Sequence, residues 1–300
     1  MAIRSDPIKD DGAGSRPTDP AELVHEARKA IKRMRALARL LRDELGEPEF
    51  ERVNVSLRSA GQRLAGARDA DVRLATLREL IARHPHTLTL SRGPSQAPTV
   101  TLEPSKEDKQ GRRGIRRLEE QLQRERLSSA QPSDTDEVLA DIAAMREQLA
   151  RWSLVDIDFD TLAPGLRRIY NEGRNRYARC VREHGRDEQD VHDWRKRVKS
   201  LYYALDMLGA KKARGARRAT RRADRLGDLL GREHDLWLLR AYVEEHPQAF
   251  GADAAAKAEL LKRIEQRRRR LRKRALALGA SLYRRKPGRF TRRIGRALHR

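Results

Sequence analysis

Val24-His25-Glu26-Ala27-Arg28-Lys29, near the start of the chain, returns as Val191-His192-Asp193-Trp194-Arg195-Lys196, and each stretch reaches a further lysine, Lys32 and Lys199, at the same register. Both run on to a Leu-Gly pair, Leu45-Gly46 and Leu208-Gly209. A second echo follows in the same order. Leu64-Ala65-Gly66-Ala67-Arg68-Asp69-Ala70-Asp71 resembles Leu229-Leu230-Gly231-Arg232-Glu233-His234-Asp235 with a one-residue slip, and each is followed by an amphipathic run ending in His-Pro, His84-Pro85 and His246-Pro247. Similarity repeated at ordered places implies internal duplication. The expected organisation is a tail over 1–19, a first helical half over 20–153 and a second over 154–300.

Local pattern makes these halves helical. Val24, Ala27, Ile31, Met34, Leu37, Ala38 and Leu41 recur at helical spacing. Asp19-Pro20-Ala21-Glu22 supplies a cap, a proline for the first helical position and an acid for the first turn, while Gly46 and Pro48 close the run. Further helical patterns cover 48–81 with breaks near Gly61 and Gly66, then 114–127, 134–152, 161–183, 190–208, 213–245 and 254–283. Residues 84–110 carry four prolines and no helical period, which predicts a linker, or a small hairpin built on Thr87–Leu90 and Thr99–Leu102. With aromatics at 4% and no segment that needs a sheet, the class is all-α.

Charge narrows the function. Lys and Arg number 67 against 44 for Asp and Glu, a net charge of +23, which calls for a polyanionic partner. Nucleic acid, an anionic membrane surface and inorganic polyphosphate all qualify. Cys180 is the only cysteine, which excludes an internal disulfide and a cysteine zinc site. The polar N-terminus and the lack of long apolar runs make cytosol the expected location, with no membrane span.

On a helical wheel with His25 at zero, Arg28, Lys29, Lys32, Arg35 and Arg39 fall between roughly 280° and 40°, with Arg33 flanking and the apolar set nearly opposite. Solvated faces usually interleave acids with bases, because like charges one turn apart repel. Between Glu26 and Asp43 this stretch holds no acid. From His25 to Arg42 the cations cover roughly 25 Å at about one per turn, a spacing suited to a polymer of phosphates. The second copy aligns His192, Arg195, Lys196 and Lys199 likewise, but carries Tyr202 where the first has Arg35. Arg167 and Arg174, with Arg168, Arg176 and Arg179 on the same stretch, then Arg218, Arg221, Arg222 and Arg225, with Arg214 and Arg217, extend the candidate set. The run Arg267–Arg274 is denser and decorates several faces. Arg68 and Arg232 each precede an acid by three residues, so Asp71 and Asp235 are candidate orienting acids, or else ordinary surface pairs. Histidines at helix starts accept or donate to an anion in either protonation state.

Competing functions have weaker support. Single-strand nucleic-acid binders add aromatic platforms, and Trp194, Tyr202 and Tyr203 look like packing residues. An enzyme acting on phosphate polymers needs metal-holding carboxylates or a P-loop; no P-loop occurs, and Asp156, Asp158 and Asp160 alternate with apolar residues as in a capped linker. No cofactor and no metal is expected.

The doubled His-x-x-Arg-Lys-x-x-Lys pattern resembles the CHAD domain, the conserved histidine α-helical domain. Gly165-Leu166-Arg167-Arg168-Ile169-Tyr170, Gly231-Arg232-Glu233-His234-Asp235 and Leu282-Tyr283 leading to Lys286-Pro287 support it over residues 21 to 300. The resemblance implies two pseudo-symmetric four-helix bundles around a basic central groove. It also implies non-catalytic binding of inorganic polyphosphate and association with polyphosphate granules. Some family members carry a triphosphate-tunnel catalytic domain, for which this length leaves no room. Oligomeric state stays open.

Overall fold

The computed structural model describes residues 20–83, 106–128, four positions between 140 and 147, and 157–299 except 186 and 252. The elements are α1 (Pro20–Leu40), α2 (Arg42–Arg63), α3 (Ala65–Arg83), α4 (Lys106–Ser128), α5 (Phe159–Arg182), α6 (Glu188–Met207), α7 (Arg217–Glu245), a 3-10 turn (Pro247–Phe250), α8 (Ala254–Leu282) and α9 (Pro287–Leu298). Among the described residues there is no strand, so the chain is all-α. The expected tail over 1–19 and most of the 134–152 helix lie outside the described residues, although Ala140, Ala143, Ala144 and Glu147 are helical. The hairpin positions Thr87–Leu90 and Thr99–Leu102 also lie outside. Helix α4 begins at Lys106, inside the stretch expected as linker.

Two compact units emerge. One holds residues 1–65, 131–231 and 272–300, the other 66–130 and 232–271. This division cuts α7 and α8 and follows a different line from the two repeat halves.

In the first unit α1 is buried on more than one side. Val24, Ala27, Ile31, Met34 and Ala38 pack with Phe50, Val53 and Leu57 of α2. Leu37, Leu40 and Leu41 join a second cluster built on α5, α6 and the start of α7, including Leu166, Tyr170, Trp194 and Leu226. Each fully buried leucine contributes about 2 kcal/mol, so both contacts hold the helix firmly. Gly165 sets the closest approach: a Cβ there would lie 2.1 Å from the Leu40 carbonyl oxygen. The break expected at Gly61 is absent; α2 runs to Arg63, and its kink sits at Gly46, whose φ of 72° suits glycine. Gly209, in the matching Leu-Gly pair, has φ 69°.

Local caps fix α5 and α6. Asp158 Oδ1 accepts from the Thr161 amide and hydroxyl, both at 2.9 Å, which gives the alternating Asp158 a capping role. Asp187 accepts from the Asp190 amide at 3.0 Å. Cys180 is fully buried, and burial pushes its thiol up to about 12.

The second unit combines α3, α4, the C-terminal part of α7, the 3-10 turn and most of α8. Arg268, 1% exposed, donates from Nε to Glu233 Oε1 at 3.1 Å. Tyr242 donates to Glu125, accepts from Gln121 at 2.7 Å, and lies beneath Arg73.

Candidate phosphate-binding faces of α1 and α6

Helix α1 packs directly on α6 within the first unit, which joins the two copies of the histidine-arginine-lysine motif in one body. Because α1 is apolar on two sides, its cations are confined to the seams. Arg28 donates to the Leu64 carbonyl. Lys29 pairs with Glu26 at 3.4 Å, Arg33 with Asp206 at 3.9 Å, and Lys32 is half-buried between them in sequence. Arg35 Nη2 donates to Asn54 Oδ1 at 3.2 Å. The acids missing from the helix itself therefore arrive from α6 and from α5, where Glu172 lies 3.8 Å from Arg39 and 2.8 Å from Arg197.

That compensation is incomplete. Burial lowers the pKa of Arg39 to about 10, helped by Arg197 and Arg35, with Glu172 opposing. Burial likewise lowers Arg35, with Arg58 and Arg197 adding repulsion. A single carboxylate faces a group of partly desolvated guanidiniums that repel one another, and a bound anion would relieve both costs.

On α6, His192 and Arg195 are half-buried, and Lys196 is exposed and pairs with Asp193 at 3.5 Å. Burial lowers the His192 pKa, and Lys196 and Arg195 lower it further. Lys199 meets Asp228 at 3.1 Å and lies 5.7 Å from the centre of the Tyr202 ring. Lys211 takes the other approach to that ring at 5.2 Å. Where the first copy has an arginine, the second offers an aromatic face that holds two lysines.

The CHAD domain profile matches residues 9–244, most of the chain. The chain belongs to the CHAD family. No curated protein and no solved structure matches it. CHAD domains are associated with polyphosphate and triphosphate binding and generally act as binding domains.

The remaining candidate positions of this CHAD domain are dispersed. His25 lies on α1 and Arg68 on α3, with side chains outside the described residues. Arg167 is exposed and Arg174 half-buried on α5. On α7, Arg218, Arg221 and Arg225 are exposed; burial lowers the pKa of Arg222, and Arg218, Arg284 and Arg285 lower it further. Arg232 is exposed in the second unit, where Asp235 is half-buried and Asp71 lies 3.9 Å from Arg126. Trp194 is 1% exposed, a packing residue as its sequence context suggested.

Sequence reasoning missed Arg197, Glu172 and Asn54. Arg197 stands one position past the repeated motif, and its partner Glu172 is on another helix, so no spacing rule links them. Reasoning also passed over Arg284, Arg285 and Arg292, although no Asp or Glu occurs between Tyr283 and the C-terminus. That acid-free run was the available signal.

Proposed function

We propose that this CHAD domain binds long-chain inorganic polyphosphate without catalysis, on the adjoining cationic faces of α1 and α6. The supporting observation is that Arg39 and Arg197 share the single carboxylate of Glu172 while Arg35 repels Arg39 and is repelled by Arg197, with Arg39 held near 10. His25, Arg28, Lys29, Lys32 and Arg33 would continue the contact along α1, and His192, Arg195, Lys196 and Lys199 along α6. Arg167, Arg174, Arg218, Arg221, Arg222 and Arg225 of the same unit supply further phosphate contacts; within the second unit Arg68 and Arg232 would hold phosphate on their own account, with Asp71 and Asp235 orienting arginines. Arginine grips phosphate oxygens in pairs, while lysine contributes point charge. The internal repeat supports two related halves that each bring one copy of the motif. The proposed setting is the cytoplasm, at polyphosphate granules; among the described residues no helix is long and apolar enough to cross a membrane.

Nucleic acid shares the electrostatic attraction. Against it stands the placement of two described aromatics near the basic motif: Trp194 is buried and Tyr202 lies against Lys199 and Lys211. The test is direct competition between long-chain polyphosphate and single- and double-stranded nucleic acid across a salt series, with thermal unfolding confirming that each variant folds. Wild type should prefer polyphosphate, and Arg28→Ala/Lys32→Ala and Arg195→Ala/Lys199→Ala should each lose about tenfold or more in affinity. Equal or tighter nucleic-acid binding, indifferent to both variants, would overturn the proposal.

A further inference from the structure

We infer that the groove between α5 and α9 is a separate binding site for a short run of anhydride-linked phosphates, carried by a nucleoside triphosphate or by the end of a polyphosphate chain. The groove is open, with a volume of about 560 Å3. That is within the range of small-molecule sites. Arg167, Arg168 and Asn171 of α5 form one wall, and Gly288, Thr291 and Arg292 of α9 the other. Arg292 Nη1 lies 3.7 Å from where a Cβ on Gly288 would stand, so its guanidinium covers the first turn of α9. The N-cap residue Lys286 makes no side-chain capping bond there, and Thr291 directs its hydroxyl to the Pro287 carbonyl at 3.2 Å.

Positive charge continues beyond the groove. Arg174 stands one turn past Asn171 on α5, and Arg174, Arg285 and Arg284 all act on the Tyr170 hydroxyl. Arg284 and Arg285 also act on Arg222. Among the described residues no acid pairs with Arg167, Arg174, Arg284, Arg285 or Arg292. Two acids work against an anion: Asp43 engages Arg168, and Asp160 lines the groove.

The ligand class follows from these groups. Guanidiniums on opposite walls suit several adjacent phosphate oxygens better than one orthophosphate. Among the described residues no aromatic side chain lines the groove, so a base attached to the phosphates gains no stacking surface from them. Of the residues proposed above for the long chain only Arg167 and Arg174 recur here, and none from α1 or α6 lines the groove, so the inference stands if binding on those helices fails.

The experiment is calorimetric titration of tripolyphosphate, ATP and orthophosphate into wild type, Arg167→Ala/Arg292→Ala, Asp160→Asn and Arg28→Ala/Lys32→Ala, with circular dichroism to verify folding. Tripolyphosphate should bind wild type and weaken about tenfold or more in Arg167→Ala/Arg292→Ala. Asp160→Asn, which removes a repelling charge, should tighten it a few-fold, and the loss in Arg167→Ala/Arg292→Ala should exceed any loss in Arg28→Ala/Lys32→Ala. ATP binding as well as tripolyphosphate would support a site that reads phosphates alone; tripolyphosphate without ATP would support a chain end as the source. No binding of either compound, full affinity in Arg167→Ala/Arg292→Ala, or a loss confined to Arg28→Ala/Lys32→Ala would overturn the inference.

Discussion

One cluster of arginines in each unit shows two ways of compensating buried positive charge. In the second, Arg268 is enclosed with Glu233 at 3.0 Å, Arg78 meets Glu119 at 2.7 Å, and Arg263 meets Glu259 at 2.6 Å. In the first, Arg39 and Arg197 share Glu172, Arg35 adds its repulsion, and Arg39 is held near 10. An arginine with its own acid is committed to the fold. Desolvated guanidiniums that repel one another, as Arg35, Arg39 and Arg197 do, leave positive potential for a ligand. On the proposed function, the contrast separates structural cations from binding cations.

The contrast breaks most visibly at Glu233. Glu233→Ala leaves Arg268 buried without its principal partner and should cost about 3 to 5 kcal/mol in chemical denaturation. Polyphosphate affinity of the folded fraction should not change. Loss of affinity without loss of stability would mean that the second unit's pairs also serve binding.

Glu172 should behave differently. Glu172→Gln removes the acid between Arg39 and Arg197; its partial exposure limits the stability loss to about 1 to 2 kcal/mol. Polyphosphate should then bind a few-fold more tightly, as the ligand replaces the missing charge. Weaker binding would show that Glu172 positions the arginines and does not compete for them. Arg39→Met should do the reverse. With Arg197 still beside Glu172, the free protein should be as stable as wild type or up to about 2 kcal/mol more stable, and binding should weaken.

The smallest effect concerns His192. Its pKa is depressed in the folded protein, so the unfolded chain binds a proton more readily, and stability falls as pH drops below the ordinary histidine value near 6.5. A phosphate beside the ring raises its pKa, so binding takes up a proton. Affinity for long chains should therefore rise a few-fold between about pH 7.5 and 5.5 and lose that dependence in His192→Asn. An identical pH profile in the variant would remove His192 from the contact.

Much of this was legible in sequence because the repeat, the helical period and the caps are local. Val24, Ala27, Ile31, Met34, Leu37, Ala38 and Leu41 are buried as their spacing requires. What escaped was three-dimensional. Leu40 and Ala36 are buried as well, since α1 is covered on a second side, and that side brings Glu172 and Asp206 to cations that looked uncompensated along their own helix. The break expected near Gly66 falls at Leu64, while the one expected near Gly61 is absent, because glycine inside a packed helix is tolerated where neighbours leave room: a Cβ on Gly61 meets only Ile31, at 3.8 Å. The groove beside α9 was hidden because its walls come from stretches that share no motif.

The seat of α1 against α5 also sets a schedule for synthesis. The pair Arg168–Asp43, beside the Gly165–Leu40 contact, joins residues 125 positions apart. At ribosomal speeds of about 5 to 20 residues per second, α1 and α2 wait on the order of ten seconds before the helix that clamps them leaves the exit tunnel. During that interval the nascent chain displays a cationic segment in the immediate surroundings of ribosomal RNA, so the first polyanion this protein meets is the one that made it.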